Sequence, residues 1–195
     1  MTTEIKIARK ILRSGGVIFP LVYFLFSKQI TLTVTFAIGL FFIVLEILRF
    51  RLPALNNSRI SKLFLKKEEN KKISGIVLFV ISVYLTVLLF PRRIAIISLL
   101  FLIFGDMAAE LVGLKFGRIK ILGGKTIEGS LSCFVTCLII GYFLMNTLEI
   151  SFPLIIIGSL AATFIELIPL KIARIKIDDN LSMALFTALI MTICI

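Results

Sequence analysis

What most constrains this chain is the recurrence of long apolar stretches along its whole length, separated by short polar breaks. A bilayer core of about 30 Å takes roughly 20 apolar residues of helix. On that measure the chain divides into seven spans: Ser14–Phe26, Ile30–Leu48, Ile73–Phe90, Ile94–Phe116, Leu131–Met145, Ile150–Leu170 and Leu181–Ile195. The first is short unless its helix starts back near Ile5. Hydrophobic residues make up 59% of the 195, well above the roughly 45–50% apolar content of a soluble domain. The apolar tracts are spread over the chain and not concentrated in one anchor. A soluble enzyme and a single-pass receptor are therefore excluded. The expectation is an all-α, polytopic transmembrane bundle: one integral membrane domain over residues 1–195, with no internal repeat and no separate soluble domain.

The charges orient this bundle. The chain carries 22 Lys and Arg against 11 Asp and Glu, a net +11. With seven spans, 19 of the 22 basic residues fall on one side, in the N-terminal segment and in loops 49–72, 115–130 and 171–180. Lys28, Arg92 and Arg93 fall on the other. Cytosolic loops collect Lys and Arg, so the N-terminus is expected in the cytosol. Lys6, Arg9, Lys10 and Arg13 before an apolar run have the look of a signal peptide; the further spans make this a retained first helix. Because the basic residues lie within a few positions of apolar spans, they suit anionic headgroups, and no nucleic-acid partner is expected. The chain has no His, which removes histidine bases, phosphohistidine intermediates and histidine-ligated zinc. Cys133 and Cys137, one helical turn apart in an apolar stretch, read as small-residue packing and not as a metal pair or a disulfide.

An acid at the centre of a membrane helix costs roughly 2.5–3.5 kcal/mol on insertion scales, yet Glu46, Asp106, Glu110 and Glu166 all fall in apolar spans. Glu46 can pair locally with Arg49, and Glu166 lies near a helix end that carries Lys171. Asp106 and Glu110 share one helix face with no basic residue between them. Such a pair shares a proton or binds a cation, and hard oxygen donors without His or Cys favour Mg²⁺. Gly105, Ala108, Ala109 and Gly113 around them serve close helix packing or backbone approach to a ligand. Next comes a glycine- and lysine-bearing loop, Gly117 to Ser130. It is a plain basic connector or a phosphate site, and its spacing is not that of a Walker A loop, because Ile119 stands where the first glycine would be. Beside the carboxylate pair, phosphate binding is the better reading. Asp178-Asp179-Asn180 lies at the mouth of the seventh span on the same side, where Asp179 or Asn180 suits an N-cap.

These residues resemble a known family. Gly105-Asp106-Met-Ala-Ala-Glu110-Leu-Val-Gly113-Leu-Lys-Phe-Gly117, followed by Lys125-Thr-Ile-Glu-Gly-Ser130, is similar to the central signature of the CTP-dependent lipid kinases: dolichol kinase, phytol kinase and the CTP-dependent diacylglycerol kinase. Arg9-Lys10, Glu46-Ile-Leu-Arg49, Glu166 and Asp179-Asn180-Leu181 match further elements of that family. Arg13 departs from it, standing where the family often has His. The related phosphatidate cytidylyltransferases share the fourth-span and Lys125 elements but carry a His-Gly-Gly stretch, which a chain without His cannot have.

The resemblance implies transfer of the γ-phosphoryl group of CTP to a membrane lipid alcohol of polyprenol, diacylglycerol or phytol type. The expected Mg²⁺ ligands are Asp106 and Glu110, and the expected catalytic residues are Asp106, Glu110, Lys125 and Glu128. Arg9, Lys10, Gly113, Gly117, Arg118, Gly124, Lys125, Thr126, Ser130, Asp179 and Asn180 are expected to bind nucleotide and phosphate. Glu110, Glu128 or Asp179 would take the proton of the lipid hydroxyl. The expected partners are thus CTP, a lipid alcohol and the bilayer, with the site on the cytosolic side. The competing readings are a cytidylyltransferase that makes a CDP-lipid and a transporter or membrane subunit that uses its acids as an ion path.

Overall fold

The computed structural model describes residues 15–51, 74–121, 124–168, 171–172, 175–176 and 179–195. Among them are seven helices, each on one of the expected apolar stretches. They are α1 (Ile18–Leu25, entered by a 3₁₀ turn at Gly15–Val17), α2 (Lys28–Arg51), α3 (Gly75–Leu89), α4 (Arg92–Phe116), α5 (Ile127–Leu148), α6 (Phe152–Leu167) and α7 (Asp179–Ile193). A two-residue antiparallel pair, β1 (Lys171–Ile172) and β2 (Ile175–Lys176), lies between α6 and α7. Within the described residues Lys28–Leu48, Arg92–Phe116 and Ile127–Leu148 are each long and apolar enough to cross a membrane; the other four helices are apolar and shorter.

Helix α4 is the centre of the bundle. In its most apolar window 61% of the residues are buried, against 11% in that of α2. Ile94, Ala95, Ile97, Leu99, Phe101 and Leu102 supply its core side chains. Around it pack α1, α3, α5 and α7, while α6 closes the gap between α5 and α7 and α2 lies on α3. The outer helices keep large apolar side chains exposed, among them Phe36, Leu40, Phe41, Phe143 and Phe164. Contiguous surfaces of this kind mark contact with lipid or another apolar partner. Midway along α4 the hydrogen-bond ladder widens into a π-helical turn, Phe101–Gly105, before α-geometry resumes at Asp106. Gly105 makes room there for its neighbours: a Cβ at this position would lie 2.9 Å from the Cys137 sulfur and 3.0 Å from that of Cys133. The two cysteines, both fully buried, thus fill the hollow beside the π-turn.

The last carbonyls of a helix lack intrahelical partners and favour cations, and this accounts for Lys28, Arg92 and Arg93. The Arg92 guanidinium donates to the carbonyls of Tyr23 (2.9 Å), Phe24 (2.7 Å) and Phe26 (3.1 Å), closing the end of α1. Lys28 donates to Leu88 O at the end of α3 (2.8 Å). Arg93 donates to Glu149 O at the end of α5 (3.3 Å). The three cations set apart from the other 19 in the sequence therefore cap three helices at one end of the bundle. These bonds join the start of one helix to the end of another, so bonded neighbours run antiparallel.

Two local expectations are corrected. Helix α5 begins at Ile127, inside what the sequence presents as a loop to Ser130, because Thr126 caps it: the Thr126 hydroxyl accepts from Gly129 N at 3.1 Å. Asp179 and Asn180 fall in the first turn of α7, not before it, and Asn180 is buried.

Candidate functional site

The loop between α4 and α5 is a hairpin. Lys120 and Thr126 form an antiparallel bridge, Ile121 N donates to Lys125 O at 2.7 Å, and Ile127 N donates to Ile119 O at 3.1 Å. Gly124 takes the turn with φ +83°, a left-handed conformation that costs other L-residues roughly 1–2 kcal/mol. Glu128, in the first turn of α5, braces the opposite strand: both its carboxylate oxygens accept from Ile119 N, at 3.2 and 3.4 Å. The ribbon thus carries Lys125 and Thr126 back against the end of α4, while Arg118 and Lys120 stay exposed.

Three glycines allow that return. A Cβ on Gly113 would sit 2.9 Å from Thr126 Oγ1, and one on Gly117 would sit 2.3 Å from Gly113 O and 2.5 Å from Thr126 Cγ2. One on Gly129 would approach Ala109 O to 2.6 Å. Helices α4 and α5 therefore meet backbone to backbone at Ala109, Gly113 and Gly129, the approach that small residues permit between membrane helices.

A buried polar cluster forms at this crossing. Lys125 Nζ pairs with Glu166 Oε1 at 3.0 Å and also donates to the main-chain carbonyl of Glu166. The Ser130 hydroxyl lies 3.1 Å from the other carboxylate oxygen, Glu166 Oε2, and 3.2 Å from Thr126 O. The Glu166 side chain is 6% exposed and that of Lys125 is 22% exposed. The pair also closes helix ends, since Lys125 meets the last turn of α6 while the carboxylate faces the first turn of α5. Glu166 thus finds its cation 41 positions away, where the sequence suggests Lys171 nearby.

Asp106 and Glu110 lie on the same α4 segment as Ala109 and Gly113, one helical turn apart and half-buried. Asp106 is ten residues short of Phe116, about 15 Å along the axis. It directly follows the π-turn, a feature frequent at functional sites. No group of three or more His, Cys, Asp or Glu that could hold a metal occurs among the described residues. The donors that α4 offers are two carboxylates. A cation there would complete its shell with phosphate and water oxygens, which is how Mg²⁺ is usually held. At the same end of the bundle, Glu46 Oε1 accepts from Ser74 N at 2.9 Å, tying the last turns of α2 to the start of α3.

The structure therefore brings Gly113, Gly117, Lys125, Thr126 and Ser130 together and adds Glu166 and Gly129. Arg9 and Lys10 lie outside the described residues. An apolar cleft of about 260 Å³ between α1, α4 and α5 is lined by residues including Leu21, Phe24, Ile96, Leu100 and Leu148. It faces the opposite ends of α4 and α5 from Lys125 and has no polar lining group for a phosphate.

No protein-family model matches the chain, and no solved structure does. Among curated proteins, the uncharacterized protein RP860 of Rickettsia prowazekii is 34% identical over 95% of this chain and 92% of its own length. The uncharacterized protein MJ1137 of Methanocaldococcus jannaschii is 31% identical over 90% of the chain and 86% of its own length. The chain belongs to the family of these two proteins. A partial relative is the CTP-dependent diacylglycerol kinase 1 of Schizosaccharomyces pombe, 32% identical over 46% of this chain and 43% of the kinase. The chain thus aligns with less than half of that kinase, and this partial likeness supports the family resemblance seen in the motifs.

Proposed function

We propose that this chain is a CTP-dependent lipid kinase of the membrane, transferring the γ-phosphoryl group of CTP to a lipid alcohol. The observation that carries the reading is the partial likeness to CTP-dependent diacylglycerol kinases. It is supported by the Lys125-Thr126-Ser130 cluster set against the α4 segment that bears Asp106 and Glu110. CTP as donor, Mg²⁺ as cofactor and the cytosolic placement of the site are parts of the proposal, as is the passage of all seven helices through the bilayer.

In this reading Asp106 and Glu110 hold Mg²⁺, which when bound neutralises phosphate charge. Lys125 and the main chain at Gly124 receive phosphate oxygens, with Thr126 and Ser130 hydroxyls beside them; Arg118, Arg9, Lys10, Asp179 and Asn180 complete the nucleotide's surroundings. The lipid hydroxyl oxygen bonds to the γ-phosphorus as the bond from that phosphorus to the β,γ-bridging oxygen breaks. CDP leaves, and the hydroxyl proton passes to a carboxylate, for which Glu110, Glu128 and Asp179 are the candidates. Phosphoryl transfer of this kind needs positioning and charge stabilisation above all, so a site without histidine suffices. The lipid enters sideways from the bilayer and its product keeps its tail there.

The test uses purified protein, Mg²⁺, γ-labelled CTP and a panel of polyprenol, diacylglycerol and phytol, with Asp106→Asn as control. Label in the organic phase, absent in the variant, supports the reading and identifies the alcohol. CDP-lipid formed from phosphatidate and α-labelled CTP, without γ-transfer, would make the chain a cytidylyltransferase. Silence in both assays from folded protein would leave the transporter or subunit reading.

A further inference from the structure

We infer that Glu166 is the positioning residue for Lys125: through Lys125, the carboxylate on α6 sets where a nucleotide phosphate sits against α4 and α5. The inference rests on the kinase reading and extends it to a residue outside the central motif.

Lys125 is fixed at both ends. Its main chain is held by the hairpin, through Ile121 N to Lys125 O at 2.7 Å and the Lys120–Thr126 bridge. Its ammonium meets Glu166 at two points, Oε1 (3.0 Å) and the main-chain carbonyl. Glu166 is itself held from the far side by the Ser130 hydroxyl at 3.1 Å. The result is a relay of contacts, Ser130 to Glu166 to Lys125, that joins the first turn of α5 to the last turn of α6. A lysine is a point charge on a flexible four-carbon stem, and reactions that depend on placement are sensitive to displacements of about 1 Å. A carboxylate oxygen and a main-chain carbonyl of the same residue, both on the ammonium, restrict that freedom.

Helix closure alone does not call for these groups. A buried ion pair is costly to desolvate, and apolar residues of similar volume often serve stability as well. Glu166 is 5% exposed and shares its helix with buried Ala161, Ala162 and Ile165. An apolar pair in place of both Glu166 and Lys125 would fit this environment at least as well, so the presence of the two charges points to Lys125 having work beyond packing.

The test is a double-substitution cycle on the full chain in lipid nanodiscs: wild type, Glu166→Gln, Lys125→Met and the pair. The readouts are kcat and KM for CTP, the melting temperature, and its shift on adding Mg²⁺ and CTP. Glu166→Gln keeps the side-chain shape and the main-chain carbonyl. It is expected to fold, with a lower melting temperature because the Lys125 charge loses its partner, and in addition to lose about a hundredfold in kcat/KM, the scale of an ångström-level misplacement. In the Lys125→Met background the same substitution should change kcat/KM less than about twofold. If Lys125→Met does not fold, Lys125→Gln, which also removes the cation, takes its place in the cycle. An active wild type whose Glu166→Gln variant keeps its kcat/KM overturns the inference alone, as does an equal loss with and without Lys125. A variant that only lowers the melting temperature also overturns it, because that is the signature of a structural brace. A folded wild type with neither transfer nor a shift with Mg²⁺ and CTP overturns the kinase reading, and the inference with it.

Discussion

Gly129→Ala tests the backbone contact on which the site is built. In the interior of a helix the replacement of Gly by Ala normally stabilises by about 0.8–1 kcal/mol. At Gly129 the new Cβ would lie 2.6 Å from Ala109 O and 3.0 Å from Thr126 Oγ1. The first neighbour is main chain and cannot turn aside. To reach the 3.4 Å at which ordinary van der Waals contact begins, α4 and α5 must part by about 0.8 Å. Forcing an extra methyl into a packed contact costs about 1–3 kcal/mol. The net effect is then a loss of up to about 2 kcal/mol, read as a fall in melting temperature of roughly 2–4 °C per kcal/mol. Because the movement separates Lys125 and Thr126 from Asp106 and Glu110, activity should fall about tenfold or more. Gly158→Ala is the matched control. Its Cβ would meet Met191, at 2.5 Å from the sulfur, and a methionine side chain can adapt. That variant should melt at or above wild type. If Gly129→Ala also melts above wild type and stays fully active, propensity alone is at work and the close crossing of α4 and α5 is refuted.

Two further outcomes follow from named contacts. Thr126→Ala removes the acceptor for Gly129 N and should cost about 1 kcal/mol of stability, while Thr126→Ser should retain most of it; equal losses in a thermal melt would show that the hydroxyl is not the cap. Arg92→Ala strips three carbonyls at the end of α1 of their donor and should cost about 1–2 kcal/mol, with Arg92→Lys recovering only part because an ammonium lacks the guanidinium fork. Faster thiol labelling of a cysteine placed at Ser27 is the accompanying readout, and wild-type labelling rates in Arg92→Ala would refute the clamp.

How far the sequence reaches can be judged residue by residue. Each of the seven helices lies on an expected apolar stretch, since burial in lipid or core demands runs of apolar residues that hydropathy reads directly. The alignment of Asp106 with Glu110 on one face follows from helical periodicity and holds, because α-geometry runs unbroken from Asp106 to Phe116. The π-turn just before it has no such signature: Phe101–Gly105 is apolar like its neighbours, and its widening goes with the fit of Cys133 and Cys137 beside Gly105. Helix α5 starts four residues before the Leu131 that the sequence suggests, because a Lys- and Gly-bearing stretch reads as loop. The local signal of that start is the Thr126 cap with the acidic Glu128 in the first turn.

The amino-acid order alone dictates the apolar helices, the asymmetry of 19 basic residues against three, and the acids that lipid would otherwise reject. These are local or additive properties, set by a few neighbouring residues or by simple counts. Tertiary packing alone assigns the partners: Glu166 to Lys125, 41 positions away in the chain, Arg92 to the end of α1, and Gly129 to the carbonyl of Ala109. Those choices depend on which helix ends meet across the bundle. A buried charge or an open carbonyl takes whatever complementary group packing brings within reach, however far away it lies in the chain.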